Sequence, residues 1–433
     1  MEIRSCVERG YHPLGLRNVI SDERSNADSV PRFQKLGPMR LAILNVKYSA
    51  NLGDGLLSEC LEAELAAQAG VTHVRSIDLA ARTTYGEATA NRRILLTILQ
   101  LLPSPIRRLS ASVALRRLTS RRLTPLCRSA LAHADAVVLG GGNLLADTDL
   151  NFPIKVHCAL SESAAVHVPI GVFGVGVSDN WSRRGANLFG TALSSARLVH
   201  TVVRDSRSQE IWRRNLAPFG VGPAAICRDP GLLTARHFSA ACDAGSASRV
   251  GICITDPLAL RYHGAASAGS KLSRWLVELA RLLANNGHEI ALFTNGSPED
   301  RSHLNRMTSL FQTACGGRLT VERPFDRPAD LARFISTCSV VVAHRMHACI
   351  AAYSYAIPHI GLAWDPKLNS FFESVDRSRF MLDPSTVSAR TAAQLTEEAI
   401  STGISSTIHA EIIDQAADDV RRLHAALADA ITE

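Results

Sequence analysis

Short runs of β-branched and apolar residues recur along the chain, each closed by glycine or a polar corner and followed by a helix-forming stretch. No other feature restricts the fold so much. Arg40–Val46, Ala136–Gly140, Pro169–Val177, Val199–Val203, Arg249–Thr255, Glu289–Phe293 and Ser339–Ala343 are too short for buried helices, and most are apolar on both faces. Strands buried on both faces belong to parallel sheets covered by helices. The alternation pauses at a small, polar stretch over 237–248 and then restarts. This predicts an α/β chain of two doubly wound, Rossmann-like parallel-sheet domains whose carboxyl edges face each other across a cleft. The expected segments are a poorly ordered leader over 1–38, an N-terminal domain over 39–236, a linker over 237–248, a C-terminal domain over 249–385 and C-terminal helices over 386–433. The last segment is Ala-rich and shows no chemistry of its own.

The formal net charge of +7 favours anionic partners such as phosphates, acidic sugars or a membrane surface. Aromatic residues are only 5%, so there is no base-stacking platform and nucleic acid is not an expected partner. The chain has no run of 18 apolar residues and no secretory signal, so a cytoplasmic protein is expected. Its ten cysteines form no Cys-x-x-Cys pair, and no carboxylate/His cluster suggests a metal. Residues 91–130 are strongly basic, with Arg92, Arg93, Arg107, Arg108, Arg116, Arg117, Arg121, Arg122 and Arg128 interleaved with Leu and Ile. They read as a helical insertion in the first domain, split by Pro103 and Pro105. The arginine face is either solvated or lies on an anionic membrane as a peripheral contact.

Parallel sheets bind ligands at their carboxyl edge. The strand Ser339–Ala343 ends in His344-Arg345-Met346-His347, and the next strand exits at Asp365-Pro366-Lys367. One edge then gathers a guanidinium, an imidazole, a carboxylate and an ammonium, which suits an anionic substrate and proton transfer. A lone His at a helix start is commonly a cap or a packing residue; Arg345 and Lys367 beside it favour the functional reading of His347. His344 points opposite to Arg345 along a strand and is assigned to the core or to a place behind the site residues. In the first domain, Asn51-Leu52-Gly53-Asp54 makes a strand–turn–helix corner without the Gly-Lys-Ser/Thr ending of a Walker loop. A plain tight turn is its rival reading. Gly140, Gly141 and Gly142, followed by Asn143, would let a ligand approach the backbone and offer free N–H donors, with a structural turn as the rival. Arg204 ends the strand Val199–Val203 and is a candidate anion contact. Asp229 before Pro230 reads as ordinary loop chemistry.

Taken in order, Asn51-x-Gly53-Asp54, Gly140–Gly142, Val203-Arg204-Asp205-x-x-Ser208, Asp229-Pro230, Arg345-x-His347 and Asp365-x-Lys367 resemble the polysaccharide pyruvyl transferase family. The resemblance implies the architecture of two-domain glycosyltransferases. It also implies transfer of pyruvate from phosphoenolpyruvate to a sugar of a polysaccharide precursor, as a ketal, with a lipid-linked acceptor as one option. It places donor binding and catalysis on Arg204, Arg345, His347 and Lys367. Asp54 and Asp365 are candidates to orient cations or acceptor hydroxyls. His344 departs from the family, where a small hydroxyl residue is commoner. The donor's phosphate and carboxylate call for several cations, and protonation of its C3 calls for a group such as His347. No cofactor beyond the donor is required, because guanidinium and ammonium groups can stabilise the phosphate. The alternative is a glycosyltransferase using a nucleotide-sugar donor, whose diphosphate would meet the same cations.

Overall fold

The structure, a computed structural model, describes residues 37–86, 113–241, 248–257 and 269–433. One sheet contains β1 (Met39–Asn45), β2 (Val71–Asp78), β3 (Ala136–Gly140), β4 (Ile170–Val175), β5 (Leu198–Val203) and β6 (Ala225–Ile226), in the order β2-β1-β3-β4-β5-β6. The other contains β7 (Arg249–Cys253), β8 (Glu289–Phe293), β9 (Leu319–Val321), β10 (Val340–Ala343), β11 (His359–Leu362) and β12 (Met381–Leu382), in the order β9-β8-β7-β10-β11-β12. Neighbouring strands are parallel throughout. The chain is thus an α/β protein with two parallel sheets, and the continuous apolar runs are its central strands: β3, β4, β10 and β11 are buried along their whole length.

Each sheet reverses its strand order once, between β1 and β3 in the first and between β7 and β10 in the second. Connections leave those strand pairs in opposite directions, so a crevice opens at their carboxyl ends. The loops at these crevices are those that follow Asn45, Gly140, Cys253 and Ala343.

The longer helices are α1 (Leu52–Ala66), α2 (Thr124–Leu131), α3 (Asn151–Ala165), α4 (Arg183–Ser194), α5 (Ser206–Leu216), α6 (Gly269–Asn285), α7 (Pro298–Cys315), α8 (Pro328–Ile335), α9 (Met346–Ser354), α10 (Pro366–Ser374), α11 (Ala389–Thr402) and α12 (Ser406–Thr432). The period of two sorts β4 between two cores. Ile170 and Val172 pack with Leu160 of α3 and Phe189 of α4, whereas Phe173 packs with Leu423 of α12. Helix α12 therefore returns from the second sheet to cover the first. Gly171 admits it closely, since a Cβ there would lie 2.4 Å from Leu423 Cδ1.

Within the basic region the described part is helical: a π-turn over Thr119–Leu123 leads into α2, with Leu123 and Cys127 buried and Arg116, Arg117, Arg121, Arg122 and Arg128 exposed. The rest of that region up to residue 112, including Pro103 and Pro105, lies outside the described residues, as do 1–36 of the expected leader and 242–247 of the expected linker. Among the described residues no helix is long and apolar enough to cross a membrane. The eight described cysteines are free, and all but Cys158 are buried.

Candidate active site

The carboxyl edges of the two sheets meet at the first turn of α9. Strand β10 ends at Ala343, Arg345 is the N-cap of α9, and His347 follows in its first turn. The start of α1 faces it from the other sheet. Leu52 N–H donates to the Asn295 carbonyl at 2.7 Å, a bond between the two halves of the chain. Gly53 lies so close to His347 that a Cβ would sit 2.6 Å from His347 Cβ. The glycine of Asn51-x-Gly53-Asp54 is thus required by a side chain brought from nearly three hundred residues away.

His347 stands between two carboxylates. Its Nδ1 is 3.9 Å from Asp54 Oδ1, and its Nε2 is 4.0 Å from Asp229 Oδ2. Asp229 Oδ1 accepts the Gly231 N–H at 2.8 Å, which fixes the carboxyl and turns Oδ2 toward the imidazole. Both residues are over nine-tenths buried, and among the described residues neither His347 Nε2 nor Asp229 Oδ2 has a hydrogen-bond partner. Burial, then Arg204, Lys367 and Arg345, push the imidazole down to about 3, so it is neutral at pH 7. Burial raises the carboxyls of Asp54 and Asp229.

Each of the three cations is held by a carboxylate. Arg345 puts Nη2 and Nε 2.5 and 3.1 Å from Asp300 Oδ2, and Asp300, in the first turn of α7, is fully buried. Asp300 in turn accepts the Asp256 N–H at 2.7 Å. Arg204 Nε is 3.0 Å from Asp205 Oδ2, and Asp205 caps α5 by accepting the Ser208 N–H at 2.6 Å. Lys367 Nζ is 3.0 Å from Asp365 Oδ2 and lies over the Trp364 ring, 5.2 Å from its centroid. Burial lowers the Lys367 ammonium below its ordinary value. The Trp364 indole N–H donates to the His344 carbonyl at 2.5 Å, tying the ends of β10 and β11 together.

Asp54, Arg204, Arg345, His347, Asp365 and Lys367, all named from sequence, therefore surround one point. Asn143 joins them at the rim: a Cβ on Gly176 would lie 2.4 Å from Arg204 Nη2 and 2.7 Å from Asn143 Oδ1, and Asn143 Nδ2 donates to Ser178 Oγ at 2.9 Å. At the glycine triple the structure shows the features of the rival reading, a structural turn. The close approach at Gly140 and Gly141 is to Leu61 and Leu57 of α1, with Cβ distances of 2.7 and 2.0 Å. The Gly141 N–H is spent on the Phe173 carbonyl at 2.9 Å, and the Gly142 carbonyl accepts the Gly176 N–H at 2.8 Å. These glycines seat a helix on the sheet; positive φ at Gly141 and Gly142 makes the turn.

Sequence reasoning missed Asp300 and undervalued Asp229. It also found no chemistry in the C-terminal helices, yet α12 supplies Gln415, Asp419 and Arg422 to the wall of a 540 Å³ cavity that opens from Arg204, Asp229 and Lys367. Among the described residues no three His, Cys, Asp or Glu side chains group as metal ligands. The arrangement can hold an anion with more than one charged group between cations from both sheets, and place a buried proton carrier against it.

The model of the family described as polysaccharide pyruvyl transferase matches residues 51–366. No curated protein matches the sequence. Among solved structures, S. aureus MnaA with UDP is similar at 11% identity over 89% of this chain and 94% of that chain, with a TM-score of 0.51. The Methanocaldococcus jannaschii UDP-GlcNAc 2-epimerase in complex with UDP-GlcNAc and UDP is similar at 10% identity over 84% of this chain and 93% of that chain, with a TM-score of 0.47. At such identities the likeness is one of fold.

Proposed function

The chain belongs to the polysaccharide pyruvyl transferase family, and from that premise we propose that it transfers pyruvate from phosphoenolpyruvate to two hydroxyls of a sugar in a polysaccharide precursor, forming a ketal. The observation that carries this reading is a buried His347 set among Arg204, Arg345 and Lys367. Phosphoenolpyruvate brings a phosphate and a carboxylate joined by a reactive enol. Arg offers planar two-point binding to either group and Lys a point charge. The donor's charges offset the cations that depress the imidazole, so donor binding raises His347 toward neutrality and equips it to protonate C3. A sugar hydroxyl then adds to C2, and a second one displaces phosphate, whose leaving charge is stabilised by the same cations. Asp54, 3.9 Å from Nδ1, holds the protonated ring. In this reading the donor is the only small-molecule requirement. The enzyme works in the cytoplasm, where phosphoenolpyruvate is made, on a saccharide acceptor that includes lipid-linked forms. Phosphoenolpyruvate should raise the melting temperature of the purified protein. His347→Gln should keep that stabilisation and lose turnover. A variant that turns over like the wild type would remove His347 from the proton transfer.

A further inference from the structure

The cavity beside His347 is larger than a three-carbon donor fills, and where α12 lines it the guanidinium groups of Arg228 and Arg422 are already paired, with Gln415 and Asp419. Arg204, Lys367 and Asp229 contribute to its lining. In the same lining, Gln415 Oε1 of α12 accepts from Arg228 Nε and Nη2 at 3.0 and 2.9 Å. Asp419 accepts the Arg228 N–H at 2.7 Å and pairs with Arg422. A polyanion would meet the Asp419 carboxylate there, and an apolar ligand would strand the amide and guanidinium groups. A neutral polyhydroxyl ring can donate to the Asp419 carboxylate and the Gln415 amide oxygen and accept from the guanidinium groups, and Phe371 offers an apolar face.

We propose that this cavity is the acceptor-sugar pocket and that Asp229 is a further catalytic residue, the base for the hydroxyl that attacks the donor. The inference rests on the pyruvyl-transfer reading and adds the acceptor's place to it. Asp229 forms the border between the two regions: it lines the cavity, and its Oδ2 lies 4.0 Å from His347 Nε2. Its other oxygen is committed to Gly231 N–H, and Oδ2 is buried with no hydrogen-bond partner among the described residues. A buried carboxylate oxygen without a donor is costly, and a hydroxyl entering from the cavity satisfies it.

The protons then balance. Protonated His347 gives its proton to C3 of the enol as the first hydroxyl oxygen bonds to C2, and that hydroxyl's proton moves to Asp229. The second hydroxyl oxygen bonds to C2 while the C2–O bond to phosphate breaks, phosphate taking the bonding pair. The second hydroxyl's proton restores His347, and the proton on Asp229 leaves with phosphate.

The test uses the full chain, radiolabelled phosphoenolpyruvate and a lipid-linked saccharide extract of the source organism. Asp229→Asn keeps an oxygen for Gly231 N–H and should keep donor-induced thermal stabilisation, yet lose turnover by about 100-fold or more. Gln415→Ala and Arg422→Ala should raise the KM for the saccharide by roughly 10-fold and leave the KM for phosphoenolpyruvate within about twofold. Asp229→Asn turning over within about threefold of wild type would overturn the catalytic assignment, and α12 variants that shift the donor KM instead would overturn the pocket. Should phosphoenolpyruvate neither stabilise nor be consumed by the wild type, the donor reading itself falls, a result distinct from either.

Discussion

His347 is a neutral imidazole in the donor-free enzyme, and its surroundings set when it gains a second ring proton. Its ordinary value of 6.5 is pushed down to about 3 by burial and by Arg204, Lys367 and Arg345. In the donor-free protein the folded state therefore refuses a proton that the unfolded chain accepts, and this residue's share of stability is lost as pH falls from 6.5 toward 3. Asp54 and Asp229, raised by burial, work in the opposite sense: their penalty appears as pH rises above the ordinary carboxylate value of 3.8. Imidazole nitrogen shifts should show His347 neutral down to pH 4 without donor and titrating nearer neutrality with phosphoenolpyruvate; titration near 6.5 in the free protein would contradict this environment. Asp300 carries a second prediction. It is fully buried against Arg345, so Asp300→Asn leaves a largely buried guanidinium without its counter-charge and should cost about 3 kcal/mol in denaturant unfolding. A cost under about 1 kcal/mol would mean that solvent reaches the pair. The cations and His347 were legible in the sequence because each follows a strand that its apolar run announces. Asp300 was not, because its partner Arg345 is 45 residues away and nothing local distinguishes it from any acid in the first turn of a helix.

At the scale of elements, the site depends on how closely α1 and α9 approach. Gly53 is what allows it. Gly53→Ala forces a Cβ onto His347, whose Cβ cannot swing away as a side-chain tip can, so turnover should fall at least about 10-fold even where the fold survives; unchanged kcat would show that the two helices can separate freely. Gly176→Ala differs, because it meets the tip of Arg204. The guanidinium can move, so this variant should weaken donor binding with little loss of stability. The strands that carry the site were readable from their continuous apolar runs. The edge strands were less so. Strand β2 reads Val71-Thr72-His73-Val74-Arg75-Ser76-Ile77-Asp78 and exposes its first half to solvent, and β12 has only two residues. A strand paired on one side needs no apolar run, so its sequence does not declare it. The glycine triple left ligand approach and a structural turn both open in the sequence for a related reason: glycine permits close approach, and only the packing shows that the neighbour of Gly140 and Gly141 is a leucine of α1.

At the scale of the molecule, α12 ties the two sheets together. Leu423 and Leu427 are fully buried, and the helix begins beyond the second sheet and ends over the first. Leu423→Ala should cost roughly 2–5 kcal/mol. If α12 couples the halves, the variant unfolds in one transition at lower denaturant; two separated transitions would show that each sheet unfolds alone. The helical character of the tail was legible in its Ala-rich composition, but the surface it covers was not. Its contribution to the cavity was not, because Gln415, Asp419 and Arg422 acquire a shared purpose only through Arg228, which lies far from them in sequence. In the proposed function the whole assembly serves to move a pyruvyl group. Phosphate release from phosphoenolpyruvate, with and without the lipid-linked saccharide fraction, tests it most directly. A pyruvyl transferase should release phosphate only with the saccharide present, with the three donor carbons retained on it. Release absent from every fraction, together with stabilisation by a UDP- or GDP-compound but not by phosphoenolpyruvate, would contradict it and make the Arg345–His347 corner a diphosphate site.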